Sequence, residues 1–247
     1  MPNPYKNCAL VIGAGGGIGS ALVSAFLSDV QVGHVFAASG SDIITVNTPS
    51  SSNVTWLPYK YDESSISGVV DHLCELQARI TRICICNGIL HRKNLRPEKR
   101  LEELKAESLQ SVLYANSILP ILWIKALRSL CKGDRKCCIA VLSARVGSIS
   151  DNQLGGWYSY RSSKAALNML LKTSAVEYSR RNRNVKLIAF HPGTTDTDLS
   201  KPFQSAVRAK KLFTPDFVAS KLLKIMDSAD VDGELSFLDW QGETVGW

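Results

Sequence analysis

Cys8-Ala9-Leu10-Val11-Ile12-Gly13-Ala14-Gly15-Gly16-Gly17-Ile18-Gly19-Ser20, running on to Leu27, is the stretch that decides the fold. Its first five residues are apolar without alternation, as in a short strand buried on both faces of a sheet. Residues 17–27 read as a helix. A strand, a glycine-rich turn and a helix N-terminus in succession make a site for a pyrophosphate. Glycines let backbone N–H groups approach the phosphates, and the helix end adds unpaired donors and a positive dipole. The spacing is GxxxGxG, formed by Gly13, Gly17 and Gly19; Ile18 and Ser20 stand where GxGxxG would need glycine. Gly15 and Ile18 complete the set expected to touch the cofactor. Glycine also serves tight turns structurally, but its place directly after the first strand favours the phosphate reading.

Working outward, apolar runs at 8–12, 34–38, 54–57, 83–86, 137–142, 185–190 and 235–238 read as strands. Helical patterns at 17–27, 65–78, 108–130, 157–179 and 215–226 lie between them. This alternation predicts an α/β fold, a Rossmann-like doubly wound parallel sheet of about seven strands with helices on both faces. No linker or repeat divides the chain, so residues 1–247 are expected to form one domain. One crossover is unusual: in residues 39–53, Ile43-Ile44-Thr45-Val46 has strand rather than helix character.

The 247 residues are 45% hydrophobic and 21% charged, an ordinary globular balance. No apolar run reaches the roughly eighteen residues of a spanning helix. The short polar start, Met1 to Asn7, does not read as a signal peptide. A cytoplasmic protein that does not bind membranes is expected. Seven cysteines and four histidines are scattered without metal-ligand or CxxC spacing, so neither a metal site nor a disulfide framework is expected. The formal charge of +7 raises the question of nucleic acid. The basic groups at 91–100, 180–183 and 210–211 are not interleaved with aromatics, and 180–183 close a helix where cations suit the dipole. The reading is a solvated surface and a phosphate-bearing cofactor, without nucleic acid.

Tyr160 and Lys164 stand at i, i+4 on one helix, sharing a face. A phenol is a weak acid–base catalyst near neutrality, and an adjacent ammonium is expected to lower its pKa. Such a pair occurs often by chance; its surroundings give it weight. Ser143 ends the fifth strand, Asn116 lies in the preceding long helix, Gly88 follows the fourth strand, and Pro192-Gly193-Thr194-Thr195-Asp196-Thr197 follows the sixth.

Together with GxxxGxG, this order resembles the short-chain dehydrogenase/reductase family. The segment from Gly155 to Asn168 and the ending Asp239-Trp240-Gln241-Gly242 are similar to its C-factor and Sniffer branch, which includes carbonyl reductases. The resemblance covers essentially the whole chain. It implies an NAD(P)-dependent oxidoreductase acting on a small carbonyl or alcohol substrate. Tyr160 would give a proton to the carbonyl oxygen, and Lys164 would hold the nicotinamide ribose and tune Tyr160. Ser143 would bond the developing alkoxide, and Asn116 would support a proton-relaying water. Gly88 matches the glycine of the family's NNAG stretch, with Asn87 before it as a further cofactor-binding candidate, and Asp62 resembles its adenine-contacting aspartate, though a helix N-cap is an equal reading of Asp62. Pro192, Gly193, Thr194 and Thr197 would hold the nicotinamide.

Cofactor choice is written at the end of the second strand, where Ser39 and Gly40 carry no charge. NADP is therefore expected over NAD, with Asp42 as the residue that would reverse the choice. Two departures stand out. The NNAG pattern is degraded, with Ile85, Cys86 and Asn87 before Gly88, and Ser143-Ala144 replaces a serine pair whose second member is generally catalytic. Ser148 is accordingly the alternative to Ser143. Residues 198–213, where the family closes over substrate, mix Leu199, Phe203 and Val207 with Lys201, Arg208, Lys210 and Lys211, so they read either as a lid for an acidic substrate or as a soluble amphipathic helix. Trp157 reads equally as pocket wall or packing. A homodimer or homotetramer is expected, and a non-catalytic cofactor-binding regulator of the C-factor type is the alternative function.

Overall fold

The computed structural model describes residues 5–40, 51–206 and 211–247. The unusual Ile43–Val46 crossover, Asp42, and Val207, Arg208 and Lys210 lie outside the described residues.

The seven predicted strands form one parallel sheet. In chain order they are β1 (Cys8–Ile12), β2 (His34–Ser39), β3 (Val54–Pro58), β4 (Ile80–Ile85), β5 (Cys137–Leu142), β6 (Val185–His191) and, after the short pair β7 (Thr194–Thr195) and β8 (Leu212–Phe213), β9 (Leu235–Asp239). Their order across the sheet is β3-β2-β1-β4-β5-β6-β9, every neighbour parallel. The winding reverses between β1 and β4, and at such a switch point the crossovers part to leave a crevice beyond the strand ends.

Helices α1 (Gly17–Leu27) and α6 (Pro215–Ser228) cover one face, burying Leu22, Phe26, Val218 and Leu222 against Val11 and Ile188. Helices α2 (Glu63–Glu75), α4 (Leu119–Leu127) and α5 (Tyr158–Arg181) cover the other with Leu73, Trp123, Leu167 and Leu171. Leu167, Leu171 and Tyr178 are spaced to form one stripe on α5. Each such buried leucine stabilises the fold by about 1.5–3 kcal/mol.

Three details differ from the sequence reading. β4 begins at Ile80 and ends at Ile85, leaving Cys86 in the loop. Arg82 sits inside this strand because Asp227 at the end of α6 pairs with it at 2.7 Å. The helix expected over 108–130 is α3 (Ala106–Leu113), a π-helical turn at Tyr114–Ile118, and α4. Pro120 explains the break: it has no N–H for the Asn116 carbonyl, and its ring crowds that carbonyl. The Leu119 N–H reaches back to the Tyr114 carbonyl instead. Finally, the pairing of β7 with β8 was not expected; it anchors the loop after β6.

Candidate active site

A cavity of about 560 Å³ opens over the C-terminal ends of β1, β4, β5 and β6. On one side it is lined by the turn Gly15–Gly19, on the other by Tyr160 and Lys164, with Pro192, Gly193, Thr194 and Thr197 closing the third. Most of the sequence-predicted groups thus meet in one space, although they are spread over most of the chain; Gly13, Ser39, Asp62 and Asn116 are not among its lining residues.

The glycine turn is held by the β1–β2 edge: the Gly13 and Ala14 N–H groups both donate to the Ala38 carbonyl, at 2.9 and 3.0 Å. Gly13 has a left-handed φ of +79°. A Cβ on Gly19 would lie 2.2 Å from the Gly13 carbonyl oxygen, and one on Gly17 would lie 2.7 Å from Thr197 Cγ2. Helix α1 starts at Gly16 with no side-chain cap, so its first-turn amides are left for a ligand. At the far end of β4, Asn87 donates to the Tyr59 hydroxyl at 2.7 Å, and its buried Oδ1 has no partner. An uncapped helix start and an unmatched acceptor in one cavity fit a dinucleotide's phosphates and a ribose hydroxyl.

Tyr160 and Lys164 come from the first two turns of α5. The Lys164 Nζ donates to the Leu142 carbonyl at 2.8 Å and lies 5.8 Å from the centre of the Tyr160 ring. Burial pushes the Lys164 pKa down to about 8. Burial likewise pushes Tyr160 up to about 12, against the expectation that Lys164 would lower it. Desolvation penalises the charged form of each. The phenol is held as a neutral acid.

Asn116, on the π-turn, accepts from the Ile89 N–H at 2.7 Å and donates to the Ile89 carbonyl at 2.9 Å and to Ser163 Oγ at 3.0 Å. It ties the loop after β4 to α5. A Cβ on Gly88 would lie 3.4 Å from Asn116 Oδ1 and 3.7 Å from Lys164 Nζ, so glycine keeps the space between them open.

Ser143 lines the cavity and Ser148 is not among its lining residues. The Ser148 hydroxyl accepts from the Asp151 N–H at 3.2 Å and pairs with Ser150. The Ser143 hydroxyl donates to Asn168 Oδ1 at 2.6 Å, while Asn168 Nδ2 is buried without a partner. A half-turn of that amide, which fills the same space, would donate to Ser143 and free its proton. Asn168 was missed in the sequence, although it extends the Tyr160, Lys164 face by one more helical turn.

Ser39 ends β2, 7% exposed, and a Cβ on the adjacent Gly40 would meet the Tyr61 ring. Asp62 caps α2, accepting from the Ser65 N–H at 2.8 Å. Neither Ser39 nor Asp62 is among the residues lining the cavity.

The substrate end is walled by Leu90, Val146, Trp157, Leu199 and Phe203. Trp157 stands edge-on to both Tyr160 and Phe203, with ring centres 6.1 and 5.1 Å apart, which makes it a wall of the pocket. His191 also lines this end. Burial, reinforced by Arg145, pushes its pKa down to about 4, and the ring stays neutral. Of the charged residues in 198–213, Asp198 lines the cavity, and Lys201 and Lys211 do not.

Residues 7–208 match the family described as short chain dehydrogenase. Among individual proteins, the chain is 34% identical over 132 residues to a Rhodococcus sp. (strain AD45) protein named 1-hydroxy-2-glutathionyl-2-methyl-3-butene dehydrogenase; that match covers 53% of this chain and 55% of the relative. It is 33% identical over 109 residues to C-signal of Myxococcus xanthus, covering 44% and 60%. The chain therefore matches little more than half the length of these relatives. The fold is shared with the NADPH-bound carbonyl reductase from chicken fatty liver, with a TM-score of 0.80 at 24% identity over 98% of this chain and 100% of that one. The family match spans most of the chain and includes both the glycine turn and the Tyr160 helix, and the chain belongs to the short-chain dehydrogenase family.

Proposed function

We propose that this chain reduces a ketone or aldehyde to an alcohol, with NADPH as hydride donor and Tyr160 as proton donor. The observation that carries the reading is that Tyr160 and Lys164 line the same cavity as the uncapped start of α1. When bound there, the cofactor supplies the hydride that goes to the carbonyl carbon. Tyr160 gives its phenolic proton to the carbonyl oxygen as the C–O double bond becomes a single bond, and burial has kept that proton in place. Lys164 holds the nicotinamide ribose and returns a proton to Tyr160, with Asn116 supporting the relay water. Ser143, with the Asn168 amide turned towards it, donates to the developing alkoxide. Gly13 and Gly15 to Gly19 take the pyrophosphate, Asp62, Asn87 and Gly88 the adenosine half, and Pro192, Gly193, Thr194 and Thr197 the nicotinamide.

The test is NADPH consumption with a panel of aliphatic and aromatic carbonyls, with Tyr160→Phe as control. Turnover by the unaltered chain that vanishes in the variant supports the reading; equal turnover in both overturns it. A relative named C-signal keeps a regulatory role in view. A pure binder has no use for a half-buried phenol beside a buried lysine, so catalysis is the reading adopted.

NADPH is preferred over NADH in this reading because Ser39 and Gly40 carry no carboxylate to repel a 2′-phosphate. The margin is modest, since no arginine clamps it there. Fluorescence titration decides the preference: tighter NADH binding would make Asp42 the ribose reader. The chain works as one domain and as a homodimer or homotetramer. Tyr114, Ile118, Met169 and Val176 on the outer faces of the π-turn and α5 are 39%, 42%, 68% and 43% exposed. A monomer by light scattering at micromolar concentration would refute the assembly. None of the seven cysteines is disulfide-bonded, which suits the reducing cytoplasm. Among the described residues no helix is long and apolar enough to cross a membrane.

A further inference from the structure

Glu98 is an acidic residue in the most basic stretch of the chain, and it is 3% exposed. Carboxylates are almost never buried to this degree without a partner of opposite charge or a set of strong donors. Its donors come from the first turn of α5. One carboxylate oxygen accepts from the Ser159 N–H at 3.1 Å and the other from the Ser159 hydroxyl. The Glu98 backbone carbonyl accepts from the Trp157 N–H at 2.5 Å. The chain entering α5 cannot cap the helix itself: its N-cap position is Trp157, which has no side-chain acceptor.

That entry is also conformationally demanding. Gly155, Gly156 and Trp157 run in succession through left-handed φ values of 62°, 64° and 53°. Glycine tolerates this and a tryptophan does not, so Trp157 is held there by its surroundings. A Cβ on Gly156 would lie 3.4 Å from the Glu98 carbonyl oxygen, showing how closely the two segments dock. Arg161 closes the turn from the helix side, its Nε donating to the Gly155 and Gly156 carbonyls at 3.2 and 3.0 Å.

We infer that Glu98 is a positioning residue for catalysis: its carboxylate caps α5 from a distant loop and so fixes the turn that presents Trp157 and Tyr160 to the cavity. A negative charge at a helix N-terminus is favourable for the dipole as well as for the unpaired amides. Tyr160 follows Ser159 directly, so freedom at Ser159 becomes freedom of the proton donor. The claim that this matters for turnover rests on the carbonyl reduction proposed above.

Two measurements on the full chain test it. Hydrogen exchange in Glu98→Ala should speed at amides 158–163 by tenfold or more, with 167–178 unchanged. Turnover per bound NADPH, counted by titration, should fall tenfold or more, while the NADPH dissociation constant stays within threefold. Glu98→Gln keeps an acceptor for the Ser159 N–H and a donor for its hydroxyl, and should recover turnover to within threefold. Glu98→Asp, too short to reach both groups, should not, and this pair decides the matter if the alanine variant fails to fold. Unchanged exchange at 158–163, or faster exchange with unchanged turnover, overturns the assignment. The exchange measurement needs no substrate, so absence of carbonyl reduction in the unaltered chain would count against the proposed activity and leave Glu98 to be judged by exchange.

Discussion

Two helices begin at the cavity, α1 and α5, and their first turns are built in opposite ways. α1 starts at Gly16, with no side chain to take its free amides. α5 starts at Trp157 and receives a buried carboxylate from a loop some sixty residues earlier. Unsatisfied donors at a helix start are unstable unless something meets them. In the proposed function the missing acceptor at α1 belongs to the cofactor, so the fold forgoes stability there in exchange for an anion site. At α5 the acceptor is built in, because this end presents side chains rather than backbone, and a proton donor must be held still.

The largest effect expected is at the capped helix. Tyr160→Phe keeps the ring against Trp157 and removes the acid. Carbonyl reduction should fall at least a hundredfold, about 2.7 kcal/mol of transition-state stabilisation. NADPH affinity should hardly change. Steady-state turnover beside a fluorescence titration checks both. Near-normal turnover would mean that the capped helix presents no catalyst and that the contrast between the two ends is only structural.

Gly16→Asp turns the open end into a closed one. A Cβ at Gly16 has its nearest neighbour at 3.4 Å, and the backbone there is extended, as an N-cap requires. The new carboxylate should cap α1 and stabilise the chain by about 1 kcal/mol, raising the melting temperature by about 2 °C. The same charge should weaken NADPH binding by about thirtyfold, or about 2 kcal/mol, through repulsion of the phosphates. A thermal melt and a cofactor titration on one sample suffice. Unchanged affinity would show that the phosphates do not meet this helix end.

The pH dependence probes two groups of α5, buried Lys164 and half-buried Tyr160. Lys164, pushed down to about 8, is charged below that pH and neutral above it. Tyr160, pushed up to about 12, keeps its proton across the working range. With NADPH saturating, kcat/KM for reduction should be level up to about pH 8 and then fall about tenfold per unit, as one proton is lost. A profile level to pH 10 would show that the charge on Lys164 is not needed.

Much of this was legible in the sequence because it is local. The glycine turn, the Tyr160 and Lys164 spacing and the loop after β6 are each read within a few residues, and the parallel sheet follows from the alternation of elements. What escaped depends on distant partners. Arg82 made the start of β4 look polar, and its partner Asp227 lies 145 residues away. Pro120 was visible, but an apolar helix pattern ran through it, and the π-turn that carries Asn116 comes from a carbonyl left without its donor. The pKa of Tyr160 was read from its neighbour on the helix, whereas burial, a property of the folded whole, sets it. Nothing in the sequence marks Glu98, whose partner is 61 residues on.

The smallest effect expected separates the two serines, and it depends on the amide of Asn168. Ser143 lines the cavity, but its hydroxyl donates to Asn168 Oδ1 at 2.6 Å. Ser148 is absent from the lining and serves the loop as acceptor for the Asp151 N–H. Turning the amide exchanges the Ser143 bond to Oδ1 for one from Nδ2 and leaves Oδ1, rather than Nδ2, unpaired, so the two orientations hold the same number of bonds until an alkoxide takes the freed Ser143 proton. In that orientation the Ser143 proton is free for the alkoxide. Ser143→Ala should then slow single-turnover hydride transfer about tenfold, about 1.4 kcal/mol, while Ser148→Ala stays within about twofold, because its bonds are internal to the loop. Asn168→Asp sharpens the test: an acceptor only, it locks the Ser143 proton away from the cavity, and should slow the reaction as much as Ser143→Ala. In the double variant the losses should not add, since both act through one hydroxyl. A large loss at Ser148 with little at Ser143 would move the oxyanion donor to the loop. Small losses at both would leave Tyr160 to polarise the carbonyl alone, and the Ser143–Asn168 bond would be a tie between β5 and α5.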